Sequence, residues 1–372
     1  MKTYVVGGAV RDKLLGLPVS DRDHVVVGAS VDDMLAAGFK PVGRDFPVFL
    51  HPTTHEEFAL ARTERKVAPG YAGFVFHAEP TVTLADDLAR RDLTINAIAE
   101  DEATHGLIDP FDGQRDLERR IFRHVGPAFV EDPVRILRLA RFGARFADFS
   151  IADETLLLMR QMVARGEVDA LVPERVWQEM SRGLMEQMPS RLFEVLRDAH
   201  ALVRVLPEID ALFEKPGDAS AVTTTLAAID RAAVMDAALA VRFAALVHAV
   251  DDGGIAALCA RLAVPIASRD LALLFAREIT TLATASLDPE QQVRLFERCD
   301  AFRRPARFEE LLLTLRAVAG DDAATMQIAP ALARNLARAR AVDAGAIAHR
   351  EAGDPSRIAS ALHRARVTAL QG

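Results

Sequence analysis

Two aspartates near the start of the chain have the type and spacing of a metal site. Asp21 and Asp23 are one residue apart and lead into the apolar run Val25–Val27. On an extended chain, residues i and i+2 point to the same side, so the two carboxylates converge. Such a pair needs a cation, and oxygen-only ligands favour Mg²⁺ or Mn²⁺. The pair therefore predicts a divalent-metal site, although an isolated Asp-x-Asp is more often solvated or part of a helix cap.

A pair of glycines just upstream is typical of a phosphate-binding turn. Gly7 and Gly8 follow a short apolar run, and Arg11 comes one helical turn later. Backbone N–H groups at a turn between a strand and a helix are available to phosphate, and the guanidinium supplies a counter-charge. Taken alone, two glycines most often form only a tight turn. In this order and spacing, Gly8 and Arg11 together with Asp21 and Asp23 predict a site for a nucleoside triphosphate and metal.

A third polar group occurs in the run 90–97. Arg91, Asp92 and Asn96 supply a cation, an acceptor and an amide within a short span. Asp92 and Asn96 share a face if the segment is helical, because residues i and i+4 are neighbours on a helix. An acceptor and an amide suit the two hydroxyls of a ribose. The alternative makes Asp92 a helix N-cap and Asn96 a helix terminator.

Length and composition limit the class of protein. A chain of 372 residues predicts two or three domains, and half of its residues are hydrophobic with only 6% aromatic, which favours a soluble, largely helical protein. Cys259 and Cys299 stand apart from each other and from any Cys/His cluster, so neither disulfides nor zinc are expected. No signal peptide and no apolar run of about 18 residues is present, so we expect a cytoplasmic protein without a membrane span.

The charge distribution is uneven. The formal net charge is −8, which argues mildly against a general nucleic-acid binder. The segment 115–145, however, contains eight arginines and four acidic residues. A local positive stripe on an acidic protein suits contact with an RNA backbone, although a solvated helix surface explains the same pattern.

Periodicity predicts a mixed α/β region followed by helices. The predicted strands are 3–6, 24–27, 48–50, 57–61 and 121–125, with a hairpin around 97–109; the predicted early helices are 8–15, 31–37 and 112–120. The stretch 63–81 contains Gly70, Tyr71 and Gly73 and predicts a mobile loop. From Glu131 onward only amphipathic helices are predicted, at 133–146, 153–165, 173–186 and 190–203, with a linker at 214–220 before an Ala-rich helical remainder.

The motifs in combination resemble a known superfamily. Gly7–Asp12 followed by Asp21–Asp23 resembles the opening motif of nucleotidyltransferases, in particular the class II branch of tRNA CCA-adding enzymes and bacterial poly(A) polymerases. The run 90–97 is similar to the ribose-reading motif of that branch, 109–117 to its hinge motif, 131–138 to its amino-acid template and 173–179 to a supporting motif. The resemblance extends over about residues 1–213.

The resemblance implies an α+β N-terminal nucleotidyltransferase head, a small mixed sheet with helices, followed by an all-α C-terminal region. The expected domains are a catalytic head at 1–125, a helical neck with the base-reading motif at 126–213 and a helical C-terminal region at 220–372. The implied reaction is template-independent addition of C, C and A to the 3′ end of tRNA from CTP and ATP, with release of pyrophosphate. Asp21 and Asp23 would be catalytic and hold two Mg²⁺ ions. Glu57 is either a further metal ligand or an ordinary edge-strand charge.

The remaining implied site residues contact the nucleotide. Gly8 and Arg11 would bind the triphosphate, Arg91, Asp92 and Asn96 the ribose, and Asp132, Arg135 and Arg138 the base, with Glu174 and Arg175 in support. Cytosine and adenine both present an amino donor beside a ring acceptor, which a carboxylate and a guanidinium match at Asp132 and Arg135. Uracil and guanine present the opposite order and leave buried groups unpaired, at a cost of about 1–3 kcal/mol each. The rival interpretation is strong, because Asp132 before Pro133 is also a typical helix N-cap.

Two sequence patterns favour a CCA-adding enzyme over the other members of class II. The pattern at 42–51 and the Arg62–Arg65 run with Gly70 and Tyr71 are similar to CCA-adding enzymes rather than to poly(A) polymerases or CC-adding enzymes. A poly(A) polymerase, a partial CC- or A-adding enzyme and a non-catalytic tRNA-binding protein stay as alternatives. Intact Asp21 and Asp23 argue against the last of these.

The C-terminal region resembles a degenerate HD-type phosphohydrolase domain. In Arg242–Ala249, His248 is followed by Ala249 where the family has Asp. One imidazole, even together with Asp251, provides too few ligands for a catalytic metal. We therefore expect a helical region without phosphatase activity that supports tRNA or forms a homodimer.

Overall fold

The structure is a computed structural model, and it describes residues 1–19, 21–42, 48–66, 74–213, 219–284, 286–320, 322–351 and 354–371. These residues belong to two compact units. The first unit comprises Met1–Val176 and Val195–Val205, and the second comprises Trp177–Glu194 and Leu206–Gly372. The division into head, neck and C-terminal region at the boundaries given above stays a prediction, and most of the expected linker at 214–220 lies outside the described residues.

The first unit is built on strands near the N-terminus. They are β1 (Lys2–Val6), β2 (Asp23–Val27), β3 (Lys40–Pro41), β4 (Val48–Leu50), β5 (Glu57–Leu60), β6 (Thr63–Lys66), β7 (Phe74–His77), β8 (Ala99–Asp101), β9 (Leu107–Ile108), β10 (Ile121–Phe122) and β11 (Ser150–Ile151). Seven of them form one sheet in the order β3-β4-β5-β2-β1-β8-β9. The β2–β5 pair is parallel and the other pairs of this sheet are antiparallel. This mixed sheet confirms the expected fold class.

The central strand β2 explains why the sheet forms. Its run of valines favours a pleated strand, and successive side chains alternate between the two faces. Val25 therefore packs into a cluster with Tyr4 and Val6, whereas Val26 packs into a second cluster with Met34 and Phe58 on the other face. Both clusters are apolar, so the strand is buried on both sides and its register is fixed.

The helices up to residue 205 are α1 (Gly8–Leu14), α2 (Val31–Ala36), α3 (Leu84–Ala89), α4 (Gly113–Arg119), α5 (Val134–Arg145), α6 (Asp153–Ala164), α7 (Pro173–Leu184), α8 (Ser190–Asp198) and α9 (Leu202–Val205). Most lie within two residues of the predicted bounds. Helix α3 was not predicted, although Thr83 and Asp86 form a reciprocal capping box at its start, which is a recognisable sequence signal.

Two expectations were wrong in detail. Part of the stretch expected as a mobile loop is ordered, because β6 and β7 pair as an antiparallel ribbon with Thr63 opposite His77; residues 67–73 lie outside the described ranges. The helix expected at 190–203 is two helices. His200 adopts the left-handed region, with φ of 59°, and Ala201 donates its N–H to the carbonyl of Leu196, which ends α8.

The start of α4 packs directly on the 3-10 turn Thr94–Asn96. A Cβ on Gly113 would lie 2.3 Å from the carbonyl oxygen of Thr94 and 2.8 Å from Cγ1 of Ile98. Asp109 caps the helix by accepting from the N–H groups of Gly113 and Gln114, both at 2.8 Å. This close approach fixes the turn that carries Asn96.

The second unit is helical. Its helices after residue 205 are α10 (Pro207–Phe213), α11 (Ala219–Val234), α12 (Leu239–Val247), α13 (Asp252–Arg261), α14 (Ile266–Leu282), α15 (Pro289–Arg298), α16 (Pro305–Ala319), α17 (Ala323–Arg340), α18 (Ala344–Arg350) and α19 (Pro355–Gln371). Helix α12 is at the centre and packs against α11, α14 and α16. Within the described ranges, every helix is too short or too polar to span a lipid bilayer.

Two histidines of the second unit are in opposite electrostatic settings. Burial lowers the pKa of His248, whose Nδ1 lies 2.8 Å from the carbonyl oxygen of Ala245. Burial alone would also lower the pKa of His363, but contacts with Glu297 and Glu290 outweigh it and raise the pKa. His363 thus attaches α19 to α15, whereas the half-buried His248 contacts a backbone carbonyl at the end of α12, where its lowered pKa favours the neutral form.

We predict that Gly113→Ala destabilises the first unit. A methyl group at this position meets a backbone oxygen that has no room to move, so the free energy of unfolding should fall by about 1–3 kcal/mol. Gly126→Ala is a matched control, because nothing lies within 4 Å of a Cβ there and its backbone is extended. Thermal and urea unfolding of both variants test this; equal stability of the two would contradict the described packing of α4.

Candidate active site

Three carboxylates lie at the edge of the sheet where β2 and β5 begin. Asp21 and Asp23 are exposed, and Asp23 is the first residue of β2. In the parallel ladder, Asp23 is directly opposite Glu57, the exposed first residue of β5. Residues opposite each other in a ladder point to the same face, so Glu57 and Asp23 share the side of the sheet that Val25 faces.

The donor chemistry of this edge fits a hard divalent cation. All the candidate side chains provide carboxylate oxygens, and Mg²⁺ commonly takes one or two carboxylates together with phosphate oxygens. In the part of the chain that the structure describes, no three His, Cys, Asp or Glu side chains form a group able to hold a metal by themselves. The residues therefore fit a site in which Asp21 and Asp23 complete their ligand set with substrate, and the role of Glu57 stays a prediction.

The glycine turn lies at the same edge of the sheet. Val6, the last residue of β1, is opposite Asp23, and the next residue, Gly7, adopts a φ of 71° that favours glycine. A Cβ on Gly7 would lie 2.9 Å from Nη1 of Arg91, so a side chain there displaces the guanidinium. A Cβ on Gly8 would lie 3.4 Å from Nη2 of Arg11. Two cations thus flank the turn, beside the carboxylates.

Arg91 is held by a buried carboxylate. Its Nη2 lies 3.1 Å from Oδ2 of Asp87, which is completely buried in α3. Burial alone would raise the pKa of Asp87, but Arg91 and Arg90 outweigh it and lower the pKa. Asp87 is therefore ionised and keeps Arg91 beside Gly7.

Arg11 lies behind the turn and is only 3% exposed. Its Nη1 donates to Oδ1 of Asn96 at 2.6 Å, and its Nε donates to Oδ1 of Asp12 at 2.9 Å. The guanidinium also lies 5.1 Å from the ring centroid of Phe142 and 5.2 Å from that of Phe146. Burial lowers its pKa, although Asp12 opposes this. Arg11 supports the turn from below, and direct contact with phosphate stays a prediction.

Asp92 and Asn96 are in contact, as expected, but in a 3-10 turn rather than an α-helix. Asn96 Nδ2 donates to Oδ1 of Asp92 at 2.9 Å, and Arg138 Nε donates to Oδ2 of Asp92 at 2.9 Å. Burial alone would raise the pKa of Asp92, but Arg138, Asn96 and Arg135 hold it well below its ordinary value. Asp92, Asn96 and the predicted base residue Arg138 therefore form one connected polar group, in which Asp92 and Asn96 are buried and Arg138 is partly exposed.

The contact between Asp12 and Arg145 was not predicted from the sequence. Arg145 Nη2 donates to Oδ2 of Asp12 at 2.8 Å, so Asp12 joins Arg11 to α5. The spacing of Arg138 and Arg145, seven residues apart on one helix face, was a signal available in the sequence. We define the buried charge chain as the connected residues Arg138, Asp92, Asn96, Arg11, Asp12 and Arg145.

Asp132 binds a backbone N–H at the start of α5 and the side chain of Arg175, and its contact with a base stays a prediction. Its Oδ1 accepts from the N–H of Val134 at 3.1 Å, which caps α5. Arg175 binds the same carboxylate at both oxygens, with Nη1–Oδ1 of 3.1 Å and Nη2–Oδ2 of 2.7 Å. Arg175 thus contacts the predicted base reader as expected, whereas Glu174 is exposed in the first turn of α7.

Arg135 binds two backbone carbonyls, and one of them directly precedes the predicted ribose residues. Its Nη1 donates to the carbonyl of Ala128 at 2.7 Å and its Nη2 to the carbonyl of Arg90 at 2.5 Å. The side chain is buried, at 8% exposure.

The part of the 42–51 pattern at 43–47 and the glycine-containing part of the 63–81 stretch lie outside the described residues.

Comparison with protein families gives two matches. The family model described as the poly(A) polymerase head domain matches residues 3–123, and that described as the probable RNA and SrmB-binding site of polymerase A matches residues 148–213. The first match contains the glycine turn, the carboxylates and the run 90–97. The second begins just beyond α5.

Curated proteins are similar over the whole chain. The Multifunctional CCA protein of Burkholderia orbicola (strain MC0-3) is 56% identical over 405 aligned residues, covering 100% of this chain and 98% of the relative. That of Burkholderia multivorans (strain ATCC 17616 / 249) is 55% identical with the same coverage.

Solved structures share the fold. The CCA-adding enzyme of Bacillus stearothermophilus in complex with CTP superposes with a TM-score of 0.71 at 24% identity, covering 98% of this chain and 88% of that one. The CCA-adding enzyme of Thermotoga maritima complexed with tRNA gives 0.70 at 23% identity, covering 99% and 87%.

Proposed function

Since the chain belongs to the family of multifunctional CCA proteins, which are CCA-adding tRNA nucleotidyltransferases, we propose how its residues carry out that reaction. The enzyme adds C, C and A to the 3′ end of tRNA without a nucleic-acid template, uses CTP and ATP, and releases pyrophosphate. The observation that carries the assignment of the site is the shared sheet edge, where Asp23 lies opposite both Val6 and Glu57. Carboxylates beside a glycine turn support the proposal that a metal and phosphates bind here.

Each group at that edge has a distinct task. Asp21 and Asp23 hold two Mg²⁺ ions, which when bound supply activation of the terminal 3′-hydroxyl and neutralisation of charge on the triphosphate. Gly8 at the turn binds the triphosphate, because open backbone suits its charge. Arg91, which the sequence assigned to the ribose, lies beside the turn and binds the triphosphate as well. Arg11, which the sequence assigned to the triphosphate, is buried and orients Asn96 from below the turn. Asp92 and Asn96 face the ribose as one preformed pair.

The base is read at the start of α5. Asp132 is the acceptor for the amino group shared by cytosine and adenine, and Arg175 sets the orientation of that carboxylate. Arg135 and Arg138 fix α5 against the run 90–96 through the carbonyl of Arg90 and the carboxylate of Asp92. Base selection therefore depends on how firmly α5 is attached to the ribose-side residues.

The wider setting follows from the substrate. A tRNA acceptor end approaches the positive stripe at 115–145, and maturation of tRNA places the enzyme in the cytoplasm. The helices beyond residue 220 support tRNA or form a homodimer. They do not hydrolyse phosphate esters, since the half-buried His248 contacts a backbone carbonyl and Ala249 follows it.

A poly(A) polymerase or a partial CC- or A-adding enzyme differs from this proposal in which nucleotides are incorporated and how many. A non-catalytic tRNA-binding protein incorporates none. Incubation of the full chain with tRNA lacking its terminus, labelled CTP and ATP, and Mg²⁺ separates these outcomes. Addition of exactly two C residues followed by one A supports the proposal.

We predict that Asp21→Asn and Asp23→Asn each lower incorporation of both nucleotides by about a hundredfold or more, because each removes a metal ligand. Affinity for tRNA should stay within about twofold, since the metals serve chemistry rather than docking. Asp32→Asn, an exposed carboxylate of α2, is the control and should retain activity. Substantial turnover by both single variants in Mg²⁺ would rule out the metal assignment.

We also predict that Asp132→Asn relaxes discrimination against UTP and GTP by about five- to a hundredfold, as loss of one base-edge contact does. Arg175→Gln is the comparison variant: it breaks the same ion pair but leaves the carboxylate in place, so base discrimination should fall by a smaller factor than in Asp132→Asn. If Asp132→Asn and Arg175→Gln change base selectivity equally, or only lower thermal stability, Asp132 is a helix cap and an ion-pair partner and does not read the base.

A further inference from the structure

We propose that Asp87 is a positioning residue for nucleotide binding: its carboxylate holds Arg91 beside the glycine turn and anchors the base of the β6–β7 ribbon. This inference rests on the proposed function, because it assumes that Arg91 meets the triphosphate. Asp87 lies in α3, makes no contact with the reaction itself, and acts through the groups that it binds.

One carboxylate oxygen of Asp87 binds Arg91. Oδ2 of Asp87 accepts from Nη2 of Arg91 at 3.1 Å. The other terminal nitrogen, Nη1, is the atom that a Cβ on Gly7 would meet at 2.9 Å. One guanidinium therefore spans the distance from the buried carboxylate to the backbone of the turn. A long side chain without that partner has many rotamers, and fixing it costs binding free energy when the nucleotide arrives.

The other carboxylate oxygen of Asp87 binds groups next to the start of the β6–β7 ribbon. Oδ1 accepts from Arg90 at 2.7 Å and from the backbone N–H of Arg62 at 3.3 Å. Arg90 Nε also donates to the carbonyl of Arg62 at 3.1 Å. Arg62 directly precedes β6 (Thr63–Lys66). The same carboxylate therefore fixes the point at which the ribbon leaves the sheet.

The charge state supports both contacts. Asp87 is ionised although it is completely buried, because Arg91 and Arg90 lower its pKa. An amide at this position still accepts at one atom but presents N–H groups from the other. Those N–H groups would face a guanidinium, which has only donors. Oδ1 accepts from Arg90 and from the N–H of Arg62, whereas among the described residues Oδ2 accepts from Arg91 alone. The amide oxygen of Asp87→Asn is therefore expected to stay on the Oδ1 side and to release Arg91.

Long-range electrostatics and the proposed role predict opposite results. Removing a negative charge near a triphosphate removes Coulomb repulsion and by itself should improve nucleotide binding. The proposal predicts weaker binding, because Arg91 is no longer held in place. Asp86→Asn is the matched control: the residue is adjacent, carries the same charge and is exposed, but its carboxylate caps α3 at Thr83.

The experiment measures steady-state incorporation of CTP and ATP into tRNA by the full chain. Asp87→Asn should raise KM for both nucleotides by about tenfold, in line with loss of a charge-assisted hydrogen bond. We expect kcat to change less than about threefold and KM for tRNA less than about twofold, since the metal and RNA contacts stay. Asp86→Asn should leave KM for the nucleotides unchanged or slightly lower.

A double-mutant cycle separates positioning from general loss of structure. In an Arg91→Gln background, Asp87→Asn should add less than about twofold to KM, because residues that act as a unit are not additive. Asp87→Glu, which retains the carboxylate, should recover most of the nucleotide affinity. A full tenfold effect of Asp87→Asn without Arg91, or an unchanged KM in the single variant, would overturn the proposal.

Equilibrium titration of the protein with CTP and Mg²⁺, without tRNA, gives an independent readout. Weaker CTP binding by Asp87→Asn than by Asp86→Asn supports the proposal, and equal binding contradicts it. If the wild type incorporates neither nucleotide into tRNA, the proposed function fails, whereas this titration still decides the role of Asp87. If Asp87→Asn does not fold, Asp87→Ser, which leaves space for water beside the arginines, is compared in the same way.

Discussion

A guanidinium that is removed from water must be surrounded by acceptors, and Arg11 is the residue at which the first unit meets this requirement. Its donors are satisfied by Asn96 and Asp12, and its faces lie against Phe142 and Phe146. Both acceptors are connected to α5: Asp12 binds Arg145, and Asn96 donates to Asp92, which binds Arg138. The buried charge chain therefore ties three separate segments together: α1, the run 90–96 and α5.

This constraint explains the form of the site. The buried charge chain passes directly beneath the glycine turn, so the position of Gly8 and that of Asn96 are set by the same contacts. Backbone pairing sets the rest, because Val6 and Glu57 both lie opposite Asp23. The residues proposed for the metal, the phosphates and the ribose are thus held by contacts within the protein itself. Preorganisation of this kind favours the transition state, since little freedom is lost when substrate arrives.

Local features of the sequence predicted much of this arrangement. The valine-rich strands, the Gly7–Gly8 turn and the paired aspartates depend on near neighbours, and the structure has them where expected. Most contacts between distant segments were not predictable in this way. Asp12 and Arg145 are 133 positions apart, and Asp92 and Arg138 are 46 apart. The spacing of the two arginines puts them on one face of α5, but nothing local identifies their partners, and only helix packing brings the partners together. The contact of Arg175 with Asp132 was expected from the family resemblance and not from a local pattern. The assignments of individual site residues stay predictions that rest on this geometry.

The central claim is that the buried charge chain acts as one unit. It is tested most directly by a double-mutant cycle on thermal and urea unfolding with Asp12→Asn and Arg138→Gln, which lie near opposite ends and share no direct bond. If the chain is one unit, the two losses in free energy of unfolding should differ from additivity by about 1 kcal/mol or more, with the double variant less destabilised than the sum. Additivity within about 0.5 kcal/mol would contradict the account.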